Sequence, residues 1–98
     1  MSLFEPGMIV MTSAIEAIAN ASRESYDIVE GCLDKRLQGN WGDLCDDDKK
    51  MNVDALEQER NGLPTDRLFS MYSTDVGVIY VITEYDRSAT TILTPEDY

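Results

Sequence analysis

Histidine is missing from the sequence altogether. Its absence removes the commonest general base, the usual partner of a nucleophilic serine or cysteine, and the commonest metal ligand. Most hydrolase mechanisms go with it, and no catalytic residue is expected. Positive charge is scarce as well, with 8 Lys and Arg against 19 Asp and Glu, a formal charge of −11 and a pI near 4.1. A charge that far from zero steers a protein towards positive partners and argues against nucleic acid or an anionic membrane as direct partners.

Cysteine is nearly absent. Cys32 and Cys45 lie thirteen positions apart in unlike surroundings, with no second pair to complete a zinc site. They read as two reduced structural thiols, with no metal and no cofactor. Long apolar runs are also missing: Met8 to Met11, behind Glu5 and Pro6, is too short for a signal-peptide core or a membrane span. A cytoplasmic protein is therefore expected, in which the sequon Asn20-Ala21-Ser22 is a chance match. Gly39 and Gly42 have no following lysine and do not make a phosphate loop.

What remains is enough for one folded unit. The 98 residues fit a single domain spanning 1–98, and a 43% hydrophobic content supplies a core without a metal or disulfide framework. Met8 to Met11 reads as a short strand. A helix starts at Thr12 or Ser13, with Glu16 placed to close a capping box on Ser13, and runs to about Ala21.

A second helix covers Glu24 to Leu37 and ends at Gly39. Ile28, Val29, Cys32 and Leu33 cluster on one side of it, while Asp27, Glu30 and Asp34 line the other with Glu24 at the margin. Asn40-Trp41-Gly42 forms a turn. A third helix begins at about Asp43 or Asp46 and continues to Arg60, stopped by Asn61-Gly62 and Pro64. Its apolar stripe is thin, which places it at the edge of the fold.

Beyond Pro64 the period changes to two. Strands are expected over Arg67 to Ser73, Val78 to Glu84 and Ala89 to Leu93, joined by turns at 74–77 and 85–88. Val78 to Ile82 is apolar at successive positions and so reads as a central strand covered on both faces. The expected fold is α+β, with an N-terminal short strand and three helices packed on a three- to four-stranded antiparallel sheet.

Several clusters could carry chemistry. Asp43, Asp46, Asp47 and Asp48 could hold a hard cation, but their spacing is not that of an EF-hand, and acids at a helix start are favoured by its dipole. Glu84 and Asp86 beside Arg87 could be a nuclease carboxylate pair, although a chain of this charge would repel its substrate. Cys32 on the apolar side of its helix is ordinary packing. Trp41 is either an exposed interface anchor or a core plug beneath its turn.

The stripe Glu24, Asp27, Glu30 and Asp34, with the run Asp43, Asp46, Asp47 and Asp48, also has two readings. Carboxylates can simply solvate outward helix faces. They can also imitate a row of phosphates and occupy a basic groove meant for DNA or RNA.

The segment Val81-Ile82-Thr83-Glu84-Tyr85-Asp86-Arg87-Ser88-Ala89-Thr90-Thr91-Ile92-Leu93-Thr94-Pro95-Glu96-Asp97-Tyr98 resembles the ending of a family of small plasmid-, phage- and island-borne bacterial proteins of unassigned activity. Gly39-Asn40-Trp41-Gly42-Asp43-Leu44 is similar to a second block of that family, as is Asp48 with Asn52 and Ala55. The chain departs from the family in Asp97, where many members have Glu, and in a longer stretch over Gln58 to Arg67. The resemblance implies a mobile-element accessory protein, a class that includes anti-CRISPR and anti-restriction inhibitors.

Together these readings favour a counter-defence protein that inhibits a CRISPR-Cas or restriction nuclease by placing an acidic, DNA-mimicking surface in its basic groove. The partner would be a basic protein, the nucleic-acid-binding subunit of a defence nuclease. The inhibitor itself would be a monomer or weak homodimer, with Trp41 and the eight carboxylates as contact residues. The alternative is a small regulatory or plasmid-maintenance module, antitoxin-like, that binds protein through its sheet and Trp41.

Overall fold

In the computed structural model, which describes residues 4–63 and 65–98, strand β1 (Met8–Met11) leads into helices α1 (Ser13–Ala21), α2 (Arg23–Leu37) and α3 (Asp46–Arg60). Strands β2 (Leu68–Thr74), β3 (Gly77–Thr83) and β4 (Ala89–Leu93) follow, then a 3-10 turn over Pro95–Asp97. The class is α+β, and the strands form one sheet in the order β1-β4-β3-β2. Pro64, read as part of the stop after α3, lies outside the described residues.

The three C-terminal strands form the expected antiparallel meander. β1 differs: it pairs with β4 in parallel, Met8 opposite Ala89 and Met11 opposite Ile92, so the sheet is mixed rather than antiparallel. No hairpin ties β1 to β4, since the three helices and two other strands lie between them in sequence. Direction is then set by where α1 must land on the sheet face.

Local signals fix the helix ends. Thr12, not Ser13, caps α1: its hydroxyl accepts from the Ile15 N–H at 3.4 Å, and no Ser13–Glu16 box forms. Ser22 caps α2 by accepting from the Ser25 N–H at 3.0 Å. At the far end of α2, Gly39 takes φ 86° while the Gly39 and Asn40 N–H groups return to the Arg36 and Lys35 carbonyls. That pair of bonds is the Schellman arrangement. α3 starts at Asp46, the later of the two expected positions.

The core lies on both sides of β2 and β3. α1 and α2 bury Ile15, Ala19, Val29 and Cys32 against Tyr72, Ile79, Val81 and Ile92. Phe4, Trp41, Leu44, Ala55, Leu56 and Leu68 form a second cluster beside it. On the opposite sheet face Phe69, Tyr80 and Tyr98 pack edge to face with centroids 5.1 to 6.1 Å apart, so the middle of β3 is covered on both faces as its sequence predicts. Val78, at the start of the strand, remains exposed.

α3 sits along the free edge of β2. Asn52, buried at 4% exposure, donates its amide to the Phe69 carbonyl at 2.6 Å and accepts the Phe69 N–H at 3.1 Å. One residue pair further along, the Met71 N–H donates to the Trp41 carbonyl and the Asp43 N–H donates to the Met71 carbonyl at 2.7 Å. Gly42 lies so close to β2 at φ 79° that a Cβ there would overlap the Met71 carbonyl. An unpaired strand edge is thereby sealed by side chain and loop.

Replacing Asn52 by Ala is expected to cost about 2 kcal/mol, because it leaves a buried donor and acceptor without partners. Urea unfolding reads the loss, and hydrogen exchange should show the Phe69 amide losing protection before its neighbours. A change below about 0.5 kcal/mol would show that water replaces the amide without penalty.

Candidate functional site

Charge is distributed unevenly between interior and surface. Arg36 on α2 has 0% exposure, and its guanidinium points across the sheet to the Ser70 and Thr83 hydroxyls and the Val81 and Leu68 carbonyls at 2.5 to 3.1 Å. No carboxylate among the described residues pairs with it. Its Cζ lies 5.9 Å from the ring centroids of both Phe4 and Trp41. Burial lowers its pKa to about 10, so it remains charged at neutral pH.

Arg87 is also drawn inward, in the turn after β3 and at a left-handed φ of 59°. Its side chain is 7% exposed, bonds Glu59 at 3.0 Å and donates to the carbonyls of Asp66 and Glu84. Two of the eight cations are thus withdrawn from the surface. Of the nineteen carboxylates, eighteen are exposed; only Glu59 is not. The outer surface is therefore more acidic than the formal charge implies.

Every carboxylate expected at the site is exposed: Glu24, Asp27, Glu30 and Asp34 on α2, Asp43 in the link, and Asp46, Asp47 and Asp48 in the first turn of α3. Of these eight, only Asp27 has a basic partner among the described residues, Arg23 at 3.4 Å, and that pair is well exposed and worth little. Glu30 accepts the Tyr26 hydroxyl at 3.0 Å, which pushes the phenol pKa up.

The structure does not join these residues into one straight row. Asp27 lines a groove with Ser73, Asp75 and Lys35 between α2 and the β2–β3 turn. Asp43 accepts the Ser73 N–H at 2.8 Å and so stands beside that groove. Asp48 lies at the other end of β2, in a cleft of about 420 Å³ that it shares with Asp66, Arg67, Phe69 and Tyr98. The result is an acidic band following the outer edge of β2 over its seven residues, on the order of 20 Å.

Asp66 and Asp75 were missed from sequence. Both flank a strand and read as turn residues, and it is the packing of α2 and α3 beside β2 that brings Asp75 to the groove of Asp27 and Asp66 to the cleft of Asp48. Trp41 is corrected in the other direction: at 5% exposure it stacks with Phe4 in the core and offers no exposed anchor. The core reading of that residue holds because its own carbonyl is tied to Met71, which turns the indole beneath the link.

Cys32 is buried and Cys45 exposed, both free. Burial pushes the Cys32 thiol pKa up, away from an activated thiolate. Among the described residues no three acidic or cysteine side chains converge to hold a metal ion. Among them, too, no helix is long and apolar enough to cross a membrane.

No protein-family model, no curated protein and no solved structure matches the chain.

Proposed function

We propose that this chain is a mobile-element counter-defence protein, a non-enzymatic inhibitor that occupies the basic nucleic-acid groove of a CRISPR-Cas or restriction nuclease. One observation carries the reading: eighteen of nineteen carboxylates are exposed while Arg36 and Arg87 are turned into the interior. Charged groups that merely keep a protein soluble do not require its few cations to be buried. An acidic band on packed elements, in which Asp27, Asp43, Asp48, Asp66 and Asp75 outnumber the cations Lys35 and Arg67, is suited to a lysine- and arginine-lined channel, where it excludes DNA by stoichiometric binding.

The alternative of an antitoxin-like module docking through its sheet and Trp41 has less support, since Trp41 is buried.

The test is a cleavage assay with a panel of purified CRISPR effectors and restriction endonucleases acting on labelled DNA. Inhibition of at least one enzyme is expected at one molar equivalent, relieved by excess DNA. Raising salt from ~50 to ~200 mM should weaken binding about tenfold or more. Inhibition that persists unchanged in high salt, or that excess DNA cannot relieve, would remove groove occupancy as the mechanism.

A further inference from the structure

β1 and β2 are the two edges of the sheet, and among the described residues only the β2 edge is closed. Along β2 the outward backbone groups of Phe69 and Met71 are taken up by Asn52, Trp41 and Asp43. Along β1 the Met8 and Thr12 N–H groups donate to the Ser88 and Ile92 carbonyls at 3.0 and 3.1 Å. In a parallel ladder the alternate residues, Ile9 and Met11, then turn their N–H and C=O outward. No hydrogen bond among the described residues meets them.

The side chains along this edge are apolar and open: Met8 is 70% exposed, Ile9 41% and Val10 38%. The edge is also almost free of charge. Between residues 6 and 22 the only charged side chain is Glu16, in a chain that is 28% charged overall. Asp97, which accepts the Thr12 hydroxyl at 2.7 Å, adds one carboxylate at the end of the strand, so a basic partner finds little to attract it along the apolar stretch. Two copies that repel one another everywhere else can meet on this face.

We propose that a second copy of the chain pairs with β1, antiparallel about a two-fold axis at Val10, to make a continuous eight-stranded sheet. In that register Ile9 of one copy lies opposite Met11 of the other, and these are the residues whose backbone groups face outward. Each such pair exchanges two hydrogen bonds, four in all, and the two Val10 side chains meet at the close-spaced, non-hydrogen-bonded position. The pattern is self-complementary, as a two-fold contact requires. A four-residue strand buries little area, so the dimer is weak and concentration-dependent.

Sedimentation velocity of the whole chain over a concentration series from ~5 µM to ~1 mM tests this. The native chain should pass from monomer to dimer. Val10→Lys, which sets two like charges opposite one another at an exposed position, should raise the dimer dissociation constant at least ~10-fold with an unchanged far-UV spectrum. Hydrogen exchange of the native chain should slow at the Ile9 and Met11 amides only at the concentrated end. A chain that stays monomeric throughout overturns the proposal and leaves the edge to a different partner. So does a dimer that survives Val10→Lys with both amides exchanging as in the monomer. Neither result depends on inhibition of a nuclease, so the two readings fail separately.

Discussion

Changing Asp27, Glu30 and Asp34 together to lysine is expected to weaken binding to the nuclease proposed as the target by on the order of 100- to 1,000-fold. All three side chains are exposed, and the sole ion pair among them is the Arg23–Asp27 contact at 3.4 Å. Such a pair contributes only about 0.3–0.5 kcal/mol to the helix, so α2 should keep its fold. At the interface each reversal replaces an attraction by a repulsion, about 1–1.5 kcal/mol apiece, and three of them reach the stated range.

The control changes Asp54, Glu57 and Glu96 to lysine, which alters net charge equally at exposed sites outside the proposed contact. It should cost less than about tenfold. Titration of the cleavage assay measures both, with circular dichroism to confirm folding. Equal losses in the two triples would show that net charge alone acts, and no loss in the first would end the assignment of the α2 stripe.

Arg36→Ala is expected to destabilise the protein by about 3–5 kcal/mol, a large share of what a small domain has. The guanidinium fills a fully buried site and donates to two hydroxyls and two carbonyls. Truncation leaves both a cavity and acceptors stripped of donors. Arg36→Met separates the two effects, since it restores most of the volume and removes a buried charge that has no counter-ion. The Ser70 hydroxyl can turn to the Val81 carbonyl, already 3.5 Å away, and Thr83 already bonds Thr90 at 2.8 Å. Methionine should therefore recover about 2 kcal/mol of the alanine loss, because a buried ion is often replaceable by packed apolar groups. Urea midpoints decide it: a loss below about 1 kcal/mol for alanine would show that the hydroxyl network closes without the arginine.

Much of the backbone was legible because the signals were local. Period two in Val78 to Ile82, the glycine at position 39 and the reach of α2 to Leu37 each depend on residues a few positions apart. β1 was legible as a strand but not in its direction, because its partner β4 lies some eighty residues away with no turn between them to set the sense. Position 36 shows the limit of helical periodicity. It falls on the same side as Val29 and Cys32, yet an arginine there reads as a surface residue, since charge normally overrides period. Only the hydroxyls of Ser70 and Thr83, far along the chain, make an interior site tolerable.

The α2 carboxylates were readable for the same reason as the helix that bears them. Asp66 and Asp75 were not, because their place beside Asp48 and Asp27 arises from long-range closure of a strand edge.

That closure has a kinetic consequence. The loop carrying Asp43 is laced to β2 through Met71 and Ser73, and α2 and α3 leave it through fixed ends. Few torsions remain to be frozen when a macromolecule arrives, so encounter can lead to a seated complex without a slow rearrangement. Association should then be limited by how often the two bodies collide in the right orientation, and solvent viscosity should slow it in proportion.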